Sequence, residues 1–147
     1  MTHPYIIVAN KVQAELCTQF PDLVIEKQYL PITDMEVGPT FTGIMLTPSD
    51  VQRTRENRGE FRDVVAIHVT YQTHLESLDS ASVEEALNQS QDIFDFLCKD
   101  TFGDWDFHRN AEQSQQPVYG MDGLHRTNLF QSFNELVYLR HVERANL

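Results

Sequence analysis

Residues 61–75 run Phe61-Arg62-Asp63-Val64-Val65-Ala66-Ile67-His68-Val69-Thr70-Tyr71-Gln72-Thr73-His74-Leu75. Phe61, Val65, Ile67, Val69, Tyr71 and Leu75 share one parity, and Arg62, His68, Thr70, Gln72 and His74 share the other. This alternation predicts a long strand with one face toward a core. Such a strand needs neighbours in a sheet and a layer that covers its apolar face.

The flanking sequence supplies both. Upstream, Phe41, Ile44, Met45 and Leu46 mark a strand over residues 40–47, closed by Pro48. Leu23, Ile25 and Tyr29 alternate with Glu26 and Gln28, which predicts a strand over 23–30, stopped by Leu30-Pro31 and followed by a loop from Ile32 to Pro39. Tyr5, Val8, Ala9, Val12 and Leu16 make an apolar stripe at helical spacing. They predict a helix over 4–19, with Pro4 in its first turn and Phe20-Pro21-Asp22 at its end.

Downstream, Val83, Ala86, Leu87, Ile93, Leu97 and Cys98 predict a helix over 82–101. Ser82 with Glu85 forms a candidate capping box, the acids of the first turn suit the helix dipole, and Gly103 is the stop. A short strand is expected over 104–109, with Trp105 and Phe107 on one side, then a long polar loop over 110–128. The last strand spans 129–143 and is apolar on both parities, as in a strand inside a sheet. The expected architecture is α+β in the order α-β-β-β-α-β-β. Two helices cover one face of a mostly antiparallel sheet of about five strands.

At 147 residues and 17.0 kDa the chain suits one domain spanning 1–147. With 41% hydrophobic and 22% charged residues it is neither disordered, nor a coiled coil, nor collagen-like. No apolar run approaches the ~20 residues of a membrane span. Met1-Thr2-His3-Pro4-Tyr5 lacks the start of a signal peptide, so a cytoplasmic origin is expected. Cys17 and Cys98 give neither metal spacing nor a disulfide framework, and both are expected as small buried hydrophobes of predicted helices. A net charge of -11 argues against a broad DNA-gripping face but not against DNA that slides past.

Catalytic and metal patterns find little support. His68 and His74 share a parity but lie roughly 20 Å apart along a strand, too far for one ion. Asp104, Asp106 and His108 alternate as a solvated strand face would. Glu26 and Lys27 are adjacent and point to opposite faces, unlike a nuclease acid–lysine pair. Neither a nucleophile elbow nor a phosphate-binding glycine loop occurs. No catalytic residue, metal or cofactor is assigned, and the chain is not expected to be an enzyme.

One local charge feature stands out. The polar stretch from Ser49 to Glu60 is expected as a loop, and it holds Arg53, Arg55 and Arg58, with Arg62 just beyond. These arginines are either solvated charge, a surface facing DNA in a channel, or a subunit contact. The complementary patch is the acidic side of helix 82–101, with Glu84, Glu85, Asp92 and Asp95. A basic segment of one copy on an acidic helix of the next is a heterologous contact, which closes into a ring when the rotation permits.

The order of these features resembles the tail terminator (tail-completion) proteins of long-tailed bacteriophages and related minor tail and neck proteins. The resemblance rests on the short N-terminal helix and the strands ending Tyr29-Leu30-Pro31 and Leu46-Thr47-Pro48. It also rests on the Arg58-Gly59 segment, the Phe61–Tyr71 strand, Ile93-Phe94-Asp95-Phe96-Leu97 in the second helix and Phe130–Arg140 in the last strand. It covers nearly the whole chain as pattern and order; the 111–128 segment is longer than the family pattern.

The resemblance implies a structural virion protein in a homohexameric ring at the head-proximal end of the tail. Its partners would be the tail tube protein and the head connector, with DNA crossing the lumen without sequence-specific binding and no membrane involved. Tyr119, Met121 and Leu124 in the long loop are candidate contacts to tube or connector. A head–tail neck adaptor is the nearest alternative. A small cytosolic ligand-binding module, with Trp105, Phe107, Tyr119 and Met121 lining a groove, is the alternative of another class.

Overall fold

The computed structural model describes residues 2–29, 42–98, 102, 105–114 and 119–143, with the backbone alone for 110–114. The elements follow as α1 (Pro4–Gln19), β1 (Val24–Lys27), β2 (Gly43–Asn57), β3 (Glu60–His74), α2 (Ser80–Leu97), β4 (His108–Ser114), α3 (Met121–Thr127) and β5 (Leu129–Glu143). Among the described residues the strands form one five-stranded sheet in the order β1-β2-β3-β5-β4. β1 runs parallel to β2, and every other pairing is antiparallel. The α+β class and the mostly antiparallel sheet are those expected.

The apolar stripe of α1 is buried in full: Tyr5, Val8, Ala9, Val12 and Leu16. Pro4 starts the helix where a missing N–H costs nothing, and the His3 side chain accepts the Tyr5 N–H at 3.1 Å. Gln13 Nε2 donates to the Ile25 carbonyl at 2.9 Å and ties the helix to β1. Cys17 is exposed, against expectation, because it lies one position past Leu16 and turns off the stripe. α2 lies on the same side of the sheet, with Ala86, Ser90, Ile93 and Leu97 inward. Ser90 Oγ donates to Ser132 Oγ at 2.6 Å, a buried polar tie between helix and β5. Phe20 meets Phe96 edge-on at 5.8 Å, joining the end of α1 to α2.

Beneath the helices the core runs through Ile44, Leu46, Val65, Ile67, Val69, Tyr71, Leu136 and Tyr138. Register explains this face, since Ile44 opposes Tyr71, Leu46 opposes Val69, and Ile67 opposes Leu136. On the other face Gln131 Nε2 donates to Gln72 Oε1 at 3.1 Å, and both residues are buried. β5 lies inside the sheet, between β3 and β4, which accounts for its two apolar parities.

β1 spans Val24–Lys27 rather than 23–30, and Tyr29 is exposed. The structure departs from expectation in five further places. β2 does not stop at Pro48 but continues to Asn57, and a register irregularity between Pro48 and Asp50 accommodates the proline. The polar stretch that follows is therefore strand, not loop. α2 begins at Ser80, and its cap is Asp79, whose carboxylate accepts the Ser82 N–H at 2.8 Å; no acid stands in the first turn. α2 also ends earlier, at Leu97, with Cys98 half-buried as its C-cap rather than on the apolar face. β4 occupies 108–114 rather than 104–109, so Trp105 and Phe107 lie on the approach to the strand. Within the expected 110–128 loop the chain forms the end of β4 and the helix α3. Leu30–Phe41, Gly103 and Asp104, which figure in the expectations, lie outside the described residues.

Candidate functional site

β2, β3 and β5 are each 15 residues long, far more than the helix layer covers. β2 is buried over Gly43–Leu46 and exposed from Gln52 to Asn57. The outer parts of the strands form a three-stranded ribbon that continues past buried Asp63 by roughly 16 Å at about 3.3 Å per residue. Its tip is the turn at Arg58-Gly59, where Asn57 Oδ1 accepts the Gly59 N–H at 2.9 Å and supplies the bend. A register shift between Arg55 and Asn57 leaves Glu56 as an extra residue just before the turn.

At the root of the ribbon a carboxylate is buried on the helix side of the sheet. Asp63 has no solvent exposure. Arg53 opposes it on β2 and Arg140 opposes it on β5. Arg53 donates through Nε at 2.6 Å and Nη2 at 2.9 Å, and Arg140 donates through Nε at 3.1 Å. The Arg53 hydrogen bonds, more than those of Arg140, hold the Asp63 carboxyl below the usual carboxylate range against the opposing effect of burial. Arg140 also lies over the Phe107 ring at 4.7 Å, and Arg53 lies 5.9 Å from the Phe61 centroid.

The two faces of the ribbon differ in charge. On the helix-side face stand Arg53 and Arg55 of β2, Phe61 and Asp63 of β3, and Arg140 and Val142 of β5. Arg55 is exposed, and its Nε donates to the Asn57 carbonyl at 3.3 Å. On the opposite face carboxylates lie beside histidines and one arginine. His141 Nδ1 lies 2.8 Å from Glu56 and 3.2 Å from Glu60, Arg62 lies 3.9 Å from Glu56, and His68 lies 3.6 Å from Glu135. Glu56, Glu60 and His141 come within 4.8 Å of one another in ligand-atom terms, the described group nearest to a metal-ligand set. They stand on three different strands, so no sequence spacing links them.

The expected arginines thus have different roles. Arg53 is held by Asp63, and Arg62 sits on the opposite face beside Glu56. Among the described residues Arg55 and Arg58 have no carboxylate within ion-pair distance. Glu84, Glu85, Asp92 and Asp95 are exposed on α2, and among the described residues none has a cationic partner. Asp95 accepts a hydrogen bond from Gln91 at 2.8 Å.

The candidate loop contacts fare differently again. Leu124 is a core residue of α3, which removes it from any outer contact. Tyr119 stacks on Phe130 at 5.4 Å and is half-buried, whereas Met121 is exposed. The four residues of the supposed groove do not converge. Trp105 packs on Tyr138 at 5.5 Å and Phe107 is buried beside it, whereas Tyr119 packs on Phe130. Phe130 and Tyr138 lie roughly 26 Å apart along β5 by strand rise. Burial pushes the Tyr138 phenol well above its ordinary pKa, so it is a neutral core group.

Sequence reading missed Asp63, Arg140, Glu56, Glu60 and His141. A signal existed for the first: Asp63 has the parity of Phe61 and Val65, an acid within an apolar stripe. No protein-family model and no curated protein matches the chain. Among the described residues, no helix is long and apolar enough to cross a membrane.

Proposed function

We propose that the chain is a structural subunit of a ring at the head-proximal end of a phage tail, acting as the tail terminator. The observation that carries this reading is the ribbon. It extends a hairpin of two 15-residue strands past the core and, among the described residues, presents Arg55 and Arg58 without intrachain carboxylates. An arm of this kind gains nothing for the core that the inner halves of the strands do not already supply. It suits a contact with a neighbour, and α2 offers exposed carboxylates on the same chain. Head-to-tail repetition of such a contact yields a ring. The ring docks on the last tube subunits, meets the connector, and lets DNA cross a lumen whose acidic subunits do not grip it.

Electron microscopy of particles assembled without this chain tests the reading. Filled heads beside separate, over-long tails are the expected result. Separate tails of normal length would assign a neck adaptor instead, and normal infectious virions would overturn the assembly role.

A further inference from the structure

Among the described residues, three surface features concentrate charge: the Glu56–Glu60–His141 group, the acidic face of α2, and the helix-side face of the ribbon. The first is closed on itself. Its histidine sits between its two carboxylates, and Arg62 adds a guanidinium beside Glu56. The second and third are both unbalanced, and their imbalances have opposite sign.

On the helix-side face of the ribbon Arg53, Arg55 and Arg140 are answered, among the described residues, by Asp63 alone. Arg58 adds to this excess at the tip. Phe61 and Val142 are direct cross-strand partners on that face and are only partly buried. The surface is therefore an apolar centre with a cationic rim. Arginine forks suit carboxylates bidentately. The outer side of α2 carries Glu84, Glu85, Asp92 and Asp95, together with half-buried Leu87. It offers an anionic rim of matching kind.

We propose that the helix-side face of the ribbon, with Arg55, Arg58, Phe61 and Val142, docks on the outer face of α2 of a second copy of this chain. The opposite face of the ribbon, where Glu56 and Glu60 already have partners within the chain, stays outside the contact. The proposal rests on the ring reading and adds which face and which helix meet. The two surfaces are different, so each copy has one of each and the contact propagates head to tail. Asp63 keeps Arg53 and Arg140 in place and holds the root of the arm rigid; Arg55 and Arg58 read the partner.

The test uses the full-length chain, followed by sedimentation velocity at low and moderate salt, with circular dichroism to show folding. Arg55→Glu with Arg58→Glu reverses the ribbon. Glu84→Arg with Asp92→Arg reverses the helix. Each pair alone weakens self-association by about 100-fold or more, since like charges across an interface are strongly unfavourable. The chain bearing all four changes regains association, as does an equimolar mixture of the two reversed chains. A ribbon-reversed chain that assembles like the parent overturns the proposal. So does a folded four-fold variant that fails to recover. A parent chain that stays monomeric at high concentration also overturns this docking surface, while the tail-junction reading is decided separately by the microscopy of particles lacking the chain.

Discussion

Asp63 shows how one residue sets the root of the ribbon. A carboxylate without solvent contact is tolerable only when its lone pairs are filled, and Arg53 and Arg140 fill them from the two flanking strands. Asp63→Ala leaves two guanidinium groups without their anion. Loss of one member of a buried pair costs about 3–5 kcal/mol, and denaturant unfolding at pH 7 measures it. Arg53→Ala costs less, because its side chain is 33% exposed and water takes over part of its role. The pH dependence has a definite sign. The folded-state pKa of Asp63 is held below its unfolded value of about 3.9, so the unfolded chain binds more protons between the two. The stabilisation is fully present above pH ~4 and is lost as pH falls through the folded value. Asp63→Asn lowers stability at neutral pH and flattens the acid limb of the stability curve; an unchanged acid limb would refute the assignment. Asn128 is a second residue-scale constraint. It ends α3 in the left-handed region at φ 57, with its N–H bonded back to the helix. Asn128→Gly leaves stability close to the parent value, whereas Asn128→Ala costs about 1 kcal/mol.

At the scale of elements, legibility followed periodicity. α1, β3 and β5 were readable because each buries one regular set of side chains or lies inside the sheet. The outer half of β2 was not, because Gln52 to Asn57 are exposed on both faces and a strand without a buried face has no apolar alternation to show. Pro48 reinforced the misreading, since a proline inside a strand is tolerated only where the pairing shifts register. The start of α2 is obscured in the sequence for a related reason. Ser82 and Glu85 satisfy a capping box on paper, but Asp79 reaches the Ser82 N–H first and is itself steadied by Ser77 at 3.1 Å. Hence Asp79→Ala lowers the thermal midpoint, and Ser82→Ala leaves it nearly unchanged. The reverse ranking in thermal melts would restore the later start. α3 was hidden because it is short and carries Gly123 inside, a weak helix former that nevertheless packs in the buried part of the element.

For the whole molecule, the division between a core that folds and an arm proposed to meet a partner is the main consequence of the sheet. The helices and the inner strand halves hold the buried apolar residues, whereas the outer ribbon buries little beyond the Asp63 cluster. The two parts are therefore separable by design. Arg53 and Asp63 are direct partners across the hairpin, close enough to be joined by a two-residue Asn-Gly turn in place of residues 54–62. Such a chain keeps the Arg53–Asp63–Arg140 cluster and the complete helix layer. It is expected to remain folded, with the far-ultraviolet dichroism of the parent less a small strand contribution and a cooperative unfolding transition. On the proposed docking it should lose self-association, because the arginines proposed to face α2 of a neighbour are gone while the long-range repulsion between chains of net charge near -11 persists. Sedimentation velocity over a range of salt separates the two effects, since screening weakens that repulsion without recreating the missing contact. A shortened chain that unfolds would make the ribbon part of the core, and one that still assembles would move the interface elsewhere on the sheet.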